Sequence, residues 1–305
     1  MKIYVTCEKL KDTMKIALFG RTIAPSSIPK LKELLGAVLS HKDVQVVVYR
    51  PFLEHLKTLG DNLLPSDCNT FSSYNDLPED TGLLLSLGGD GTFLSSVPLI
   101  REKRIPIAGI NFGRLGFLTT SQTAEGMEKL LTGNFKTESR NLLKMEYSQM
   151  PEGFYPFALN EFSVQRSGPA VLELEIKVNG TAIPRYVADG VLIATSTGST
   201  AYSMSAGGPI VMPGCKVLII VPVAPHNLNI RPLVVPDSSV IEVTFSTRYK
   251  NATVSADNRS FQVPNGSTIR FTSSDSGVIL AESDNDFVQT LSRKLYWGAD
   301  WRNTV

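Results

Sequence analysis

An apolar run that ends abruptly in a cluster of glycines determines what can be built around it. Residues 83–87, LLLSL, are followed directly by GGDGT at 88–92. Apolar residues stopped by glycines are typical of a buried strand that enters a tight loop. Glycines leave backbone N–H groups open to a phosphate, and Asp90 could orient or deprotonate an attacking hydroxyl. The alternative is a strand-to-helix turn in which Asp90 or Thr92 caps the next helix, and the turn alone leaves both open.

The first half of the chain alternates between strand and helix patterns. These patterns predict strands at 16–19, 44–49, 83–87 and 105–110 and helices at 29–41, 52–59, 94–103 and 124–131. The polar segment 60–79 is predicted to be a loop with a little regular structure. The alternation indicates an α/β domain, residues 1–140, with a parallel, Rossmann-like sheet. Because ligands of such sheets lie beyond the carboxyl ends of the strands, residues 20–21, 88–92 and 111–114 are expected on one edge.

The second half changes to a period of two. Residues 172–178 alternate apolar and charged side chains, and Asn179-Gly180 predicts a type I′ hairpin turn. Further strands are predicted at 191–194, 217–223, 240–245, 252–255 and 268–271. We therefore expect an all-β sandwich over residues 141–280. A helix at 287–296, within the segment 281–305, is expected to pack back on the first domain.

Composition excludes several classes of protein. Of 305 residues, 42% are hydrophobic and 19% charged, which is typical of a globular chain. The net charge of +1 gives no average electrostatic case for a nucleic-acid or membrane partner. Three cysteines without a CxxC pair support neither a zinc site nor a disulfide framework. No run approaches the roughly 20 apolar residues of a membrane span, and the N-terminus lacks an apolar signal core, so a cytoplasmic protein is expected.

The N-terminus carries a duplicated start. Met-Lys-Ile at 1–3 recurs at 14–16, where the first clear strand begins. Residues 1–13 are therefore interpreted as an upstream extension or, alternatively, as an additional strand that uses residues 3–5.

Three further stretches carry polar groups suited to a ligand. Residues 189–213 place a hydroxyl-rich TSTGST after a strand, which suits a sugar, a phosphate or an amide, although a helix-capping loop explains it equally well. Asn160-Glu161 could bind a ribose diol, although a dipeptide is a weak signal. His226 lies in a proline-bounded loop and is equally well explained as structural. The chain lacks the HExxH, GxSxG and Walker A motifs.

Together and in this order, these motifs resemble the ATP-dependent NAD kinase family, whose members phosphorylate the adenosine ribose 2′-hydroxyl of NAD to give NADP. The resemblance runs from Met14 almost to the end of the chain. It is carried by GGDGTFL at 88–94, INFGRLGFL at 110–118, Asn160-Glu161, DGVLIATSTGSTAYSMSAGGPI at 189–210, VAPHNLNIRPLVVP at 223–236 and KLYWG at 294–298. Diacylglycerol, sphingosine and phosphofructokinase-like kinases share GGDGT but lack the 189–210 stretch.

The resemblance implies a role for each matching residue. Asp90 would act on the ribose hydroxyl, and Asn160 and Glu161 would contact the ribose and amide region of NAD. The other residues implied at the substrates are Gly91, Thr92, Asp189, Thr197, Thr200, Ala201, Tyr202, Ser203, Met204, Ser205 and His226. Tyr202 offers a ring on which a base can stack.

Two positions depart from the family pattern. Ser196 stands where many members have proline, and Asp257-Asn258-Arg259 stands where many have Asp-Gly-Gln. Asparagine tolerates the left-handed turn conformation, but the contact made by glutamine falls to Arg259. Arg21, Arg114 and Arg259 are candidates for additional phosphate charge.

The implied chemistry needs ATP and a divalent ion, Mg²⁺, held largely by substrate oxygens. The resemblance also implies a homo-oligomer, a dimer or tetramer, and an active site in a cleft between the domains, with Asp90 on one wall and residues 200–205 on the other. A non-catalytic NAD(P)-binding regulator and another GGDGT-type lipid or sugar kinase are the alternatives. The phosphoryl donor and the use of NADH are left open.

Overall fold

The computed structural model describes residues 13–59, 63–65, 67–113, 116–119, 123–282 and 287–296. These residues form two compact units, which are described separately. Unit 1 holds the described residues up to Ser139 and from Val278 onward, and unit 2 is Arg140–Gly277. The predictions for residues 1–12, for Arg114 and for the end of KLYWG fall outside the described residues. No described helix is long and apolar enough to cross a membrane.

The element bounds follow the sequence pattern closely where apolar residues are periodic. The first half contains β1 Met14–Gly20, α1 Ile28–Ser40, β2 Val44–Tyr49, α2 Arg50–Thr58, β3 Asn69–Phe71, β4 Thr81–Leu87, α3 Asp90–Ile100, β5 Ile107–Ile110 and α4 Ala124–Leu131. The second half contains β6 Lys136–Glu146, β7 Phe157–Ala158, β8 Glu161–Arg166, β9 Leu172–Val178, β10 Thr181–Ala182, β11 Tyr186–Ala188, β12 Gly190–Thr195, α5 Tyr202–Ser205, β13 Val217–Val223, β14 Leu233–Pro236, β15 Ile241–Ser246, β16 Asn251–Ala256, β17 Arg259–Pro264, β18 Thr268–Glu282 and α6 Phe287–Leu295.

Unit 1 contains the predicted parallel sheet. Its strands lie in the order β3-β2-β1-β4-β5, and every neighbouring pair is parallel. The apolar stretches of β1 and β4 are buried because helices cover both faces of such a sheet. The strand order reverses direction between β1 and β4, which is the position where doubly wound sheets bind their ligands. The end of β18 adds Leu280 opposite Ile107.

The segment 60–79, predicted to be a loop with a little regular structure, contains β3. This strand has three residues, of which only Phe71 is buried. Such a short strand carries no alternation that a sequence pattern could register, and its place is set by pairing with Val47–Tyr49 of β2.

Unit 2 is the predicted β sandwich. One sheet has the antiparallel order β14-β13-β12-β8-β16-β17, and the other contains β10-β9-β15-β18 with β11 also on β9. Alternate residues of both sheets enclose one apolar core, which includes Phe162, Phe245 and Phe271. The type I′ turn is confirmed by positive φ angles at Asn179 and Gly180, 51° and 80°. β18 is much longer than predicted. The prediction ended early because the Ser-rich middle of this strand lacks an apolar pattern.

Candidate active site

The glycine turn lies at the carboxyl end of β4, where the strand order of unit 1 reverses. Gly88 has a φ of +152°, and a Cβ there would lie 2.4 Å from Thr92 Oγ1. Its N–H donates to the carbonyl of Ile110, 2.8 Å away, which ties the turn to the end of β5. The turn therefore needs glycine at position 88 for both conformation and space.

Asp90 does not cap the helix that it begins. The N-cap of α3 is Gly89, and Asp90 is the first residue inside the helix, so the capping alternative was wrong for Asp90. The Asp90 carboxylate instead accepts hydrogen bonds from the loop after β5. Phe117 N–H donates to Oδ2 at 2.9 Å, and Oδ1 accepts from Leu118 N–H at 3.2 Å and from the Thr119 hydroxyl at 2.8 Å. Three donors from one loop fix the orientation of the carboxylate.

Gly116 makes this arrangement possible. A Cβ at position 116 would lie 1.9 Å from Asp90 Oδ1 and 2.3 Å from Thr119 Oγ1. The loop can therefore approach the carboxylate closely only because residue 116 has no side chain.

The C-terminal helix α6 reaches the same carboxylate within unit 1, as its predicted return to the first domain requires. Lys294 Nζ lies 3.7 Å from Asp90 Oδ2 and 4.2 Å from the centre of the Phe117 ring. The rings of Phe117 and Phe287 are 6.0 Å apart. The side chains of Lys294 and Asp90 are 32% and 28% exposed, so a ligand can reach both.

In unit 2, Asn160-Glu161 lies against the hydroxyl-rich loop. β8 pairs with β12 so that Glu161 lies opposite Ala194, and TSTGST begins at the last residue of β12. The Thr195 hydroxyl donates to the Leu159 carbonyl at 2.6 Å and accepts from Gly198 N–H at 3.0 Å. A Cβ at Gly198 would lie 2.1 Å from the backbone oxygen of Asn160. The glycine of this motif is therefore required by packing.

A buried aspartate holds the backbone of the same pair. Asp257 occupies the turn between β16 and β17 and takes the left-handed conformation itself, with a φ of 50°, whereas Asn258 has no positive φ. Its carboxylate, whose side chain is 1% exposed, accepts from the N–H groups of Leu159 at 2.9 Å, Asn160 at 2.8 Å and Glu161 at 3.3 Å.

Arg259 fixes the segment that leads to this pair. Its guanidinium donates to the carbonyls of Tyr155 and Phe157, both at 2.6 Å, and lies 3.8 Å from Asp257. It also lies over the rings of Phe154 and Tyr155, 5.5 and 5.4 Å from their centres. Both terminal nitrogens of Arg259 therefore bind inside unit 2, and its Nε is buried without a partner among the described residues.

Burial changes the protonation of Glu161. Removal from water, together with the neighbouring Asp257 charge, raises the pKa of Glu161 to about 8, although the backbone N–H of Tyr202 donates to it. Its Oε2 is buried without a partner among the described residues. Burial also raises the pKa of Asp257, whereas the three backbone N–H groups that donate to its carboxylate act in the opposite direction and favour the charged form. At neutral pH Glu161 therefore holds a proton and can donate a hydrogen bond as well as accept one.

Asp189 and Tyr202 line one pocket of unit 2. Its volume is about 400 Å³, and its other lining residues are Gln165, Arg166, Gly168 and Val223. Arg166 Nε lies 2.8 Å from Asp189 Oδ1 and its Nη2 donates to Oδ2 at 3.1 Å, a two-pronged ion pair. The Tyr202 side chain is held by Gln165, whose amide donates to the phenol oxygen at 3.2 Å.

Models of known protein families match residues in both units of the chain. The ATP-NAD kinase N-terminal domain model matches residues 16–138, and the ATP-NAD kinase C-terminal domain model matches residues 159–282. The chain belongs to the NAD kinase family.

Similar NAD kinases cover almost the whole chain. Those of Cytophaga hutchinsonii and Flavobacterium psychrophilum are 38% and 39% identical over 295 and 297 residues, which is 95% of this chain and 100% of each relative. The structure of yeast NADH kinase complexed with NADH has a TM-score of 0.84 at 25% identity and covers 100% of this chain and 96% of that chain. The NAD kinase from Archaeoglobus fulgidus in complex with ATP has a TM-score of 0.69 at 26% identity and covers 93% and 99%. A lipid or sugar kinase that shares only GGDGT is not favoured by these matches.

The remaining residues predicted for the site lie in varied surroundings. Thr200 and Ser203 are buried, and a Cβ at Gly208 would lie 2.4 Å from Ser203 Oγ, so the serine faces the interior of unit 2. His226 is exposed, and its backbone N–H donates to the Val187 carbonyl. The others, which are half-buried or exposed, are Gly91, Thr92, Thr197, Ala201, Met204 and Ser205.

Sequence reasoning missed four residues that shape the site. Gly116, Thr119 and Lys294 surround Asp90, and Asp257 holds Asn160-Glu161. The signal for Gly116 and Lys294 was their place inside the motifs at 110–118 and 294–298. Thr119 follows the first of these motifs and has no signal of its own.

Proposed function

We propose that this protein is an ATP-dependent NAD kinase, which transfers the γ-phosphoryl group of ATP to the adenosine ribose 2′-hydroxyl of NAD and forms NADP. The observation that carries the proposal is the carboxylate of Asp90. It lies at the reversal point of a doubly wound sheet, next to a glycine turn, in a chain that matches the ATP-NAD kinase models in both halves.

Asp90 orients the hydroxyl for attack. Among the described residues, Oδ1 accepts two hydrogen bonds and Oδ2 accepts one. A carboxylate has about four acceptor sites, so Oδ2 has room for the ribose hydroxyl. Because a carboxylate is a weak base at neutral pH, Asp90 accepts the hydroxyl proton late, as the bond from the γ-phosphorus to ADP breaks.

Unit 2 supplies the residues for the dinucleotide. Asn160 and Glu161 provide amide and carboxyl groups for the ribose hydroxyls, and a protonated Glu161 both donates and accepts. Tyr202, 40% exposed, offers its ring in the pocket that Asp189 also lines. The other residues for which we propose substrate contact are Gly91, Thr92, Thr197, Thr200, Ala201, Ser203, Met204, Ser205 and His226.

Mg²⁺ fits this site only as a partner of the substrate. Among the described residues, no three His, Cys, Asp or Glu side chains are placed to hold a metal ion. We therefore propose that the ion is bound chiefly by ATP oxygens, where it neutralises phosphate charge.

We also propose a homo-oligomer, a dimer or tetramer, which light scattering of the purified chain tests.

Replacement of Asp90 by Asn tests the assignment. With ATP, Mg²⁺ and NAD, NADP formation should fall by several decades, because Asn cannot accept the hydroxyl proton, while NAD affinity measured by calorimetry stays within about threefold. Asp80→Asn is the matched control, since Asp80 precedes β4 and pairs with Lys15 at 2.7 Å.

Undiminished turnover in Asp90→Asn contradicts the role of Asp90. A wild-type protein that binds NAD and forms no NADP instead supports the non-catalytic regulator. Parallel assays with NADH and with polyphosphate determine the acceptor and the donor.

A further inference from the structure

We propose that Lys294 is a catalytic residue that supplies positive charge to the phosphoryl group transferred at Asp90. The inference rests on the proposed function, because it assigns a second residue to the same reaction. Its basis is the position of the ammonium group, 3.7 Å from Asp90 Oδ2, the oxygen that accepts one hydrogen bond from the described residues.

The acceptor site left for a substrate hydroxyl is on Asp90 Oδ2, and this is also the oxygen that lies 3.7 Å from the Lys294 ammonium group. Oδ1 is occupied by Leu118 N–H and the Thr119 hydroxyl. A substrate hydroxyl that donates to the carboxylate must therefore approach Oδ2, beside Lys294. The phosphorus that this hydroxyl attacks, with its three charged oxygens, then lies within reach of the ammonium group. Lysine side chains placed in this way stabilise the charge of a transferring phosphoryl group.

The surroundings of Lys294 keep it in place and accessible. Its ammonium group lies over the Phe117 ring, and the backbone N–H of the same phenylalanine donates to Asp90 Oδ2. Phe287, about two turns of α6 before Lys294, also contacts this ring. With 32% of its side chain exposed, Lys294 can turn from the carboxylate toward a ligand. An ion pair at 3.7 Å, longer than a close N–H···O bond, leaves donors for phosphate oxygens.

In the proposed phosphoryl transfer, Lys294 acts only through its charge and takes no part in making or breaking bonds. The ribose 2′-oxygen forms a bond to the γ-phosphorus of ATP, and the bond from that phosphorus to the bridging oxygen of ADP breaks. ADP leaves with the electron pair, and the hydroxyl proton passes to Asp90. Lys294 keeps its proton throughout, so its contribution depends on charge and position.

The test compares three variants with the wild type in a stopped NADP assay at saturating NAD and varied ATP. Lys294→Met keeps an apolar chain over Phe117 and removes the charge, and Lys294→Arg keeps the charge. Arg293→Met is the matched control, because Arg293 is the exposed neighbour on α6 and its replacement changes the net charge equally.

We expect kcat to fall about 10- to 100-fold in Lys294→Met, below the loss typical of a fully buried charge donor because Lys294 is partly exposed. Lys294→Arg should recover at least a third of the wild-type kcat, and Arg293→Met should stay within twofold of it. NAD affinity and the thermal midpoint of Lys294→Met should match those of the wild type. If Lys294→Met is unstable at the assay temperature, Lys294→Gln is assayed below its own midpoint under the same criterion.

Two results would overturn the proposal. One is a Lys294→Met variant with the kcat and ATP KM of Arg293→Met. The other is a Lys294→Arg variant as inactive as Lys294→Met, which assigns the lysine a purely structural role. A wild-type chain that forms no NADP refutes the proposed function itself, and the two failures are therefore distinguishable.

Discussion

Adding one methyl group at Gly116 should disable Asp90 without changing any atom of its carboxylate. An alanine Cβ at this position would lie 1.9 Å from Asp90 Oδ1 and 2.3 Å from Thr119 Oγ1, the two atoms that share a hydrogen bond. Real Cβ atoms do not come closer than 3.0 Å to such neighbours. The carboxylate or the loop must therefore retreat by about 1 Å, a displacement that costs enzymes about 100-fold in rate.

The same clash should lower stability. Loss of one hydrogen bond to a charged group costs about 2 kcal/mol, which lowers the thermal midpoint by roughly 4–8 °C for a domain of this size. Gly116→Ala is therefore expected to show a kcat about 100-fold below wild type with NAD affinity unchanged, because unit 2 is untouched. The measurements are a stopped NADP assay well below the midpoint, calorimetry with NAD and a thermal melt.

Gly113→Ala is the control for this loop. A Cβ at position 113 would meet its nearest neighbour, Asn111 Oδ1, at 3.8 Å, an ordinary contact. Its kcat and midpoint should equal those of the wild type. A Gly116→Ala enzyme with wild-type kcat would refute the reasoning, because it would show that the orientation imposed on Asp90 by the loop is irrelevant to turnover.

Three further perturbations test the contacts described above. Thr119→Val keeps the buried shape but removes the 2.8 Å hydrogen bond to Asp90; kcat should fall about 10-fold, and a wild-type kcat contradicts the role of this bond. Because the pKa of Glu161 is raised to about 8, the folded protein binds more protons than the unfolded chain between pH 4.5 and 8, so the free energy of unfolding should fall as pH rises through that window. Urea titrations should show a flatter profile for Glu161→Gln, and equal slopes in both proteins contradict the shift. Arg259→Gln leaves two carbonyls and the Asp257 charge without their cation, so stability should fall by about 2–4 kcal/mol, and an unchanged denaturation midpoint removes the structural role.

The sequence predicted those parts of the fold that depend on local pattern. β2, β9, β13 and α4 have the predicted bounds because their apolar periods are unbroken. The strands β6, β8, β14 and β17, the place of β3 and most of β18 were not predicted. A three-residue strand and a Ser-rich strand carry no such period and depend on pairing with neighbours.

The candidate site divides in the same way. Asp90 and Asn160-Glu161 were found because they lie in motifs. Their hydrogen-bond partners were not found. The donors to Asp90 lie 27–29 positions later in the chain, and Asp257 lies 96–98 positions from the N–H groups that donate to it. Contacts of that separation follow from the completed fold. The raised pKa of Glu161 likewise depends on burial, which no local pattern of an Asn-Glu pair reveals.

The contact between Gly198 and the backbone of Asn160 sets a limit for anyone who would redesign this loop. Ser196 and Thr197 are half-buried, so side chains of other sizes can be tried at these two positions. Gly198 cannot, because any side chain would meet a backbone oxygen at 2.1 Å and push Asn160 away from Thr195. A library built on this chain should therefore randomise the two positions before the glycine and leave the glycine itself fixed.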